Sequence, residues 1–477
     1  MSSLLESYIE RGYDFGMAYA YLRCYWNHSN TIEDWWHMYE EDDRKRRRKV
    51  IVDNKITKRD MPPRRIWDLY ANRVVPYWVA PKDWHAISHA WVDVKERVDV
   101  WTPINGYEWP VPVPEDTNLK LIRTEMLNLG AEYVWLDVLC LRQEYAIREA
   151  HREEDLRKED LRKEEWKLDV PTIGYVYDKK RKVVCYLSGL GRPLSFKEGD
   201  FESDRCWFNR AWTLQEIPNG SDLLIGGDTS DDRFMEEKMQ TRIHEKLKSL
   251  RRVRSFATTF DIMLLMRNRV STKPLDKVAG LTYLFNAESI PIYDGAQSEE
   301  DAWMALVDVM QSSKRAELFF YYPGPGNGNR SWRPSWEQAM SYTLPWCNME
   351  HNTGYVRWIK ETDSDWYNGP RIDTIYVYGL ANPSDSPRQG KLLFEENTRG
   401  SCACKIVADH TYPIPNGWYT IISISEGFTL SDRIWVVGQL RRDGKFEKVS
   451  VISLADKEEK LKHWGLRVKR RVHTVLC

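Results

Sequence analysis

"EYVWLDVLCL" spans residues 132–141, and its reading decides the fold. Apart from Glu132 and Asp137 it is apolar throughout. A strand with one wet face alternates. One without alternation has both faces covered, as in a sheet flanked by helices on each side. The neighbouring segments agree. "NLKLIRTEMLNLG" (118–130) puts Leu119, Ile122, Met126 and Leu129 on one helical face, with Gly130 placed to end the helix. "HAISHAW" (85–91) is a short apolar strand ending in polar groups, "KVVCYLSGLG" (182–191) a strand running into a glycine turn, and "SDLLIGGD" (221–228) another strand. Between the last two, "RCWFNRAWTLQEI" (205–217) reads as a helix. This alternation predicts an α/β fold with a mostly parallel sheet over 85–230.

Three further regions flank it. Residues 1–84 read as helical and Trp-rich. Residues 231–345 read as a helical extension, with Ser298 as the N-cap of "SEEDAWMALVDVMQ" and a turn-rich loop, "YYPGPGNGNRSWRPSW", at 321–336. Over 346–477 the runs "IDTIYVYGL", "CACKIVA", "GWYTIISISEG", "RIWVVGQL" and "KVSVISL" are separated by turn residues, which predicts a C-terminal antiparallel β-rich domain. Within 152–166 the pentapeptide DLRKE occurs twice, and its spaced acid–base pairs predict an exposed, lengthened helix.

The 477 residues carry a net charge of −1, with 30% charged and 42% hydrophobic residues. That balance gives no global basic field to draw in nucleic acid. The basic cluster at 44–49 follows acids directly and reads as a solvated helix face. No apolar run approaches 18 residues, so no membrane span is expected, and the first sixteen residues lack the apolar stretch of a secretory leader. Eight cysteines are present; Cys140 and Cys185 lie in apolar strands, as reduced buried thiols do. Cys402, Cys404 and His410 lack a second ligand pair at zinc-site spacing, so no metal is expected. These features predict a cytoplasmic protein.

The candidate site follows from the sheet. In an open α/β sheet the ligand crevice lies past the carboxyl ends of the strands. Ser88 and His89 end one strand there. Asp137, followed by Arg142 and Gln143, either lines the same crevice or accepts backbone N–H groups in a turn, since a buried acid needs a partner. On a helix over 205–217, Asn209, Thr213 and Glu216 share a polar face opposite Trp207, Ala211 and Leu214. Glu216 is then either a working carboxylate or a structural one paired to Arg210 or another cation. No G-x-S-x-G elbow and no P-loop is present, and "GLGRP" (189–193) lacks the third glycine of a dinucleotide fingerprint.

"AISHAW" (86–91), "YVWLDVLCLRQE" (133–144) and "RCWFNRAWTLQE" (205–216), in that order, resemble the fungal heterokaryon incompatibility (HET) domain. The second block matches through Trp135, Leu136, Asp137, Cys140, Leu141 and Gln143, the third through Arg210, Trp212, Thr213, Gln215 and Glu216. "PLDKVAGLTYLF" (274–285) resembles the segment that commonly follows. The chain departs from the pattern at His89, usually aromatic, at Val92, usually glycine, and at Arg142, usually small and polar. The resemblance implies a TIR-like sheet and a role in self/non-self recognition and programmed cell death. It also implies self-association or an unidentified protein partner. Many TIR relatives cleave the nicotinamide–ribose bond of NAD with one glutamate, and Glu216 resembles that position. NAD would then be substrate, with no cofactor. Ser88, His89, Asp137, Arg142, Gln143, Arg210 and Trp212 become the ligand-contact candidates. The alternative is a non-catalytic signalling or scaffold module acting by self-association.

Overall fold

The computed structural model describes residues 2–28, 32–80, 83–145, 152–177, 181–217, 223–227, 237–256, 258–345, 354–359, 361–383, 387–396, 400–424, 434–454 and 469–477. It divides into two compact units, one of residues 1–255 with 268–298, the other of 256–267 with 299–477. The division runs through the expected helical region 231–345.

The first unit opens with helices α1 (Ser2–Glu10), α2 (Phe15–Leu22) and α3 (Ile32–Val50), then the short strands β1 (Ile51–Val52) and β2 (Lys55–Ile56). The expected helical region over 1–84 is thus α-helical only to Val50. "RRIWDLYANRVVP" (64–76) turns back on itself as β3 (Arg65–Asp68) and β4 (Arg73–Pro76), an antiparallel hairpin. Next come β5 (His85–His89), the ribbon β6 (Arg97–Val100) with β7 (Val111–Pro114), α4 (Leu119–Asn128) and β8 (Tyr133–Trp135). They are followed by α5 (Asp137–Cys140), α6 (Arg152–Asp169), α7 (Ile173–Val176), β9 (Val183–Tyr186), β10 (Leu223–Ile225) and α8 (Glu237–Phe256). Helix α9 (Thr259–Arg267) belongs to the second unit. Helix α10 (Leu275–Ala279) and β11 (Ile290–Pro291) return to the first.

The main sheet is mixed, in the order β10-β9-β5-β8-β3-β4. Strands β10, β9, β5 and β8 pair in parallel; β3 joins β8 antiparallel. Taken alone, the parallel strands have the chain order 2-1-3-4 across the sheet, a doubly wound arrangement. Residues 86–89, 133–135 and 183–186 are all buried, which is why these strands show no alternation. Helix α4 buries Ile122 and Met126 and ends at Gly130, whose φ of 79° only glycine adopts freely.

Two local expectations are corrected. The run 132–141 is not one strand: it leaves the sheet after Trp135 and turns into α5. Asp137 Oδ1 accepts the Val138 amide at 2.7 Å, and the Cys140 amide returns to the Leu136 carbonyl at 2.8 Å. A short acid that bonds its own backbone favours such a turn over strand. The doubled DLRKE helix is not simply solvated either. Asp155, Arg162, Glu165 and Asp169 form a buried charged face of α6. Glu165 takes both guanidinium nitrogens of Arg65 at 2.7 and 2.9 Å, and Asp169 meets Arg64 at 2.8 Å and Arg47 at 3.2 Å. Arg47 is thus a buried member of the basic cluster 44–49, in which Arg44 stays exposed against Glu40.

The second unit carries α11 (Glu299–Val309), α12 (Ser312–Tyr321) and α13 (Trp336–Ser341), then β12 (Val356–Ile359), β13 (Ser364–Tyr378), β14 (Arg388–Glu396) and β15 (Gly400–Ala408). Strands β16 (Gly417–Ser423), β17 (Ile434–Leu440), β18 (Phe446–Leu454) and β19 (Lys469–Leu476) complete it. All five predicted strand runs are present. Strands β13-β14-β15-β18-β17-β16 pair antiparallel in that order, and β16 pairs back to β13, closing a ring that leaves no free edge within it. Ile375, Val377, Leu392, Ile406, Ile421 and Val437 lie in its core. Cys404 is buried there, and His410 Nε2 bonds the Val451 carbonyl at 2.8 Å. The side chain of Cys402 lies outside the described residues. No group of three or more His, Cys, Asp and Glu among the described residues is placed to hold a metal ion. No described helix is long and apolar enough to cross a membrane.

Candidate active site

The parallel strands deliver side chains to their carboxyl ends, where a cavity of about 460 Å³ opens in the first unit. It is walled by Trp91, Trp135, Trp166, Tyr177, Trp212 and Tyr293, with the carboxylates Asp137, Glu216, Asp99 and Asp276 among them. Its size lies within the range of small-molecule sites.

Ser88 and His89 are successive residues of β5, so they leave the strand toward opposite faces. Each meets a different carboxylate. Ser88 Oγ donates to Glu216 Oε2 at 2.5 Å and accepts the Trp207 indole N–H at 2.8 Å. His89 Nε2 meets Asp137 Oδ1 at 2.8 Å, and Trp91 Nε1 donates to Asp137 Oδ2 at 3.1 Å. Burial opposes charge on His89, but Asp137 beside it prevails and its pKa is raised. Burial likewise opposes ionisation of Asp137. The histidine, the Val138 amide and the Trp91 indole overcome it and hold its pKa below the ordinary value.

Glu216 behaves differently. Burial pushes its pKa up to about 7, against the pull of the Ser88 hydrogen bond, and Asp137 adds to the rise. Arg269 draws it down more weakly. Arg269 is itself buried, with its pKa lowered to about 10 by burial, and donates to the Arg210 carbonyl and to Thr213 Oγ1 at 2.5 and 2.8 Å. The Arg210 guanidinium is directed to Thr272 Oγ1, at 3.3 Å.

The stretch 205–217 is not the expected helix. It forms two 3₁₀ turns, Trp207–Asn209 and Trp212–Leu214, separated by an extended Arg210. The backbone there is engaged elsewhere: Ala211 N donates to Val270 O at 2.9 Å and Val270 N to Asn209 O at 2.7 Å. The Asn209 amide holds the Phe201 and Ser203 carbonyls, and Thr213 Oγ1 holds those of Trp207 and Arg210. Side-chain bonds of this kind compete with helix. The shared polar face of Asn209, Thr213 and Glu216 therefore does not exist, and Glu216 is 8% exposed.

Of the expected ligand contacts, His89, Asp137, Gln143, Arg210, Trp212 and Glu216 line the cavity. Ser88 lies just behind it, on Glu216. Gln143 donates to the Asp137 and Leu141 carbonyls and so secures the turn. The structure moves Arg142 out of the site: its guanidinium pairs with Glu108 at 2.5 Å and lies over Trp109. Sequence reasoning missed Arg97, Lys273, Asp276 and Arg269. For Arg269, Lys273 and Asp276 the signal was the charged run "RNRVSTKPLDK" (267–277), whose backbone pairs with 209–211. Trp212 is held by Asp276, which also accepts the Tyr293 hydroxyl at 2.8 Å. Trp135 lines the cavity with its buried indole N–H unpartnered among the described residues.

No protein-family model, no curated protein and no solved structure matches the chain.

Proposed function

We propose that this cavity hydrolyses the nicotinamide–ribose bond of NAD, with Glu216 as the catalytic carboxylate, in a cytoplasmic protein of the HET type acting in fungal self/non-self recognition and programmed cell death. The observation that carries the reading is a single buried carboxylate with a near-neutral pKa, set in an aromatic-walled cavity at the carboxyl ends of parallel strands. The 2-1-3-4 strand order supports a TIR-like sheet. A pyridinium ring is flat, aromatic and cationic; tryptophan and tyrosine faces suit it, and its charge would hold Glu216 ionised. When the C1′–N bond breaks, the electron pair leaves with the ring nitrogen and nicotinamide departs neutral. The ribose is left oxocarbenium-like, and a preorganised carboxylate stabilises that charge far more in a dry cavity than in water. Water then adds to C1′ and gives up a proton. The His89–Asp137 pair fixes the second carboxylate at the cavity wall.

Nicotinamide release from NAD, measured with purified protein over a wide concentration range beside Glu216→Gln, tests this. Release that rises steeply with concentration and disappears in the variant supports an assembly-gated hydrolase. If no NAD is consumed while wild type and variant kill cells equally, the domain acts instead as a non-catalytic scaffold.

A further inference from the structure

Acidic and basic side chains at the rim of this cavity are unevenly matched. Arg205 pairs with both Asp93, at 2.7 Å, and Glu96; Arg192 takes Asp116 at 2.9 Å. These contacts use Asp93 and Glu96; Asp99, two residues from Arg97, lines the cavity with it and acts on it through space. Arg97 itself, half-buried at the start of β6, has no carboxylate within ion-pair distance among the described residues; its guanidinium lies 5.1 Å from the centroid of the Trp91 ring. Arg210 is also half-buried and without an ion pair, with only the Thr272 hydroxyl at 3.3 Å. Both line the cavity, together with Ser271, Thr272 and Lys273. Burial weakens the charge on Arg210; Asp276 partly offsets this through space, and Arg97 adds repulsion. Two neighbouring, half-buried guanidiniums that meet carboxylates only through space, with no direct ion pair, are costly. An anion that bridges them removes the cost, and the planar fork of arginine matches phosphate oxygens.

We propose that Arg97 and Arg210 form the anion subsite of the cavity and hold the diphosphate of a dinucleotide, with Thr272 donating beside them. The cavity is then polar in its sense of charge, with carboxylates and aromatic rings for the cationic ring and arginines for the diphosphate. The identity of the anion rests on the NAD reading above; its place rests on Arg97 and Arg210.

Inorganic pyrophosphate, titrated calorimetrically into the full chain, is the probe. Wild type should bind it, and Arg97→Gln and Arg210→Gln should each weaken binding about tenfold or more, as loss of a charge-assisted pair does. Arg205→Gln, outside the cavity, should bind as wild type. Arg97→Lys and Arg210→Lys keep the charge and should recover part of the loss, which separates an anion contact from a folding defect; thermal melts of all five variants check the fold. Absence of pyrophosphate binding by wild type, or undiminished binding by both glutamine variants, overturns the subsite. The two readings fail separately. Pyrophosphate binding with the expected losses but no nicotinamide release leaves the subsite and removes the hydrolase. NAD hydrolysis with an unchanged KM in both glutamine variants leaves the hydrolase and removes the subsite.

Discussion

Replacing Glu216 by glutamine should make the protein more stable above neutral pH while abolishing nicotinamide release. An exposed glutamate ionises near 4.5, whereas burial holds Glu216 at about 7. Below pH 4.5 folded and unfolded chains both carry the protonated acid, and the group leaves stability unchanged. Between 4.5 and 7 the unfolded chain gives up its proton and the folded chain keeps it, so stability falls as pH rises. Above 7 the loss is complete. A gap of this size corresponds to roughly 3 kcal/mol. Glutamine has the same shape, can still accept the Ser88 hydroxyl and does not ionise. Its stability relative to wild type should therefore grow by about 2 to 3 kcal/mol between pH 5 and pH 8, whatever constant offset the amide introduces. In calorimetric melts at the two pH values, the transition of the first unit should separate from wild type by roughly a further 5 °C at pH 8. A pH-independent difference, or a variant less stable at pH 8 than at pH 5 relative to wild type, would mean that Glu216 is an ordinary paired carboxylate, and the argument for its role would fail.

Three further outcomes follow from the same geometry. Ser88→Ala removes the hydrogen bond that favours the carboxylate, so Glu216 should titrate about one unit or more higher, read from side-chain carbon shifts of labelled glutamate; an unchanged titration refutes the contact. Asp137→Asn removes the main counter-charge of His89, whose pKa should fall, as burial is then opposed only by Glu216 and the Ala90 carbonyl. The stabilisation from the wild-type pair is complete below pH 6.5 and lost as pH rises through the folded histidine's higher value; proton NMR and pH-dependent melts of the variant should show that dependence gone. In the barrel, a Cβ on Gly438 would stand 2.3 Å from the Glu447 carbonyl oxygen and 2.4 Å from the Phe446 ring, so Gly438→Ala should cost about 2 kcal/mol or more by denaturant titration; a neutral effect would contradict the β17–β18 register.

The sheet was legible because burial leaves a direct trace: "AIS", "YVW" and "VVC" have no polar alternation, and each is a covered strand. Five antiparallel strands of the second unit were legible for the opposite reason, being marked off by turn residues; the closure of β16 on β13 was not. What the chain did not reveal came from contacts far apart in sequence. Whether 205–217 coils into a helix depends on Val270, some sixty residues later, which takes the backbone bonds a helix needs. Whether the DLRKE helix is wet depends on Arg47, Arg64 and Arg65, about a hundred residues earlier. Local periodicity carries neither fact. The hairpin β3–β4 was hidden behind Arg65 and Arg73, whose guanidiniums serve Glu165 and Asp14 while their backbones serve the sheet.

The same contrast bears on whether Glu216 is structural. Glu165 and Glu216 lie in the same unit and are equally deep, 7% and 8% exposed. Burial pushes both toward the neutral acid. At Glu165 the push is overcome: Arg65 grips both oxygens, Arg64 and Arg142 stand beside it, and its pKa falls below the ordinary value. That is a carboxylate neutralised by its fold. At Glu216 a serine hydroxyl is the direct partner; His89 and Arg269 act on it only through space, His89 held by Asp137 and Arg269 donating to a carbonyl and to Thr213. The arginines that could have answered it, Arg97 and Arg210, line the same cavity and face an unfilled need of their own. A chain that grips its buried acids on α6 with arginines leaves Glu216, Arg97 and Arg210 without a direct ion pair among the described residues around one aromatic cavity. Under the proposal above, a ligand carrying a cationic ring and an anionic diphosphate would answer both.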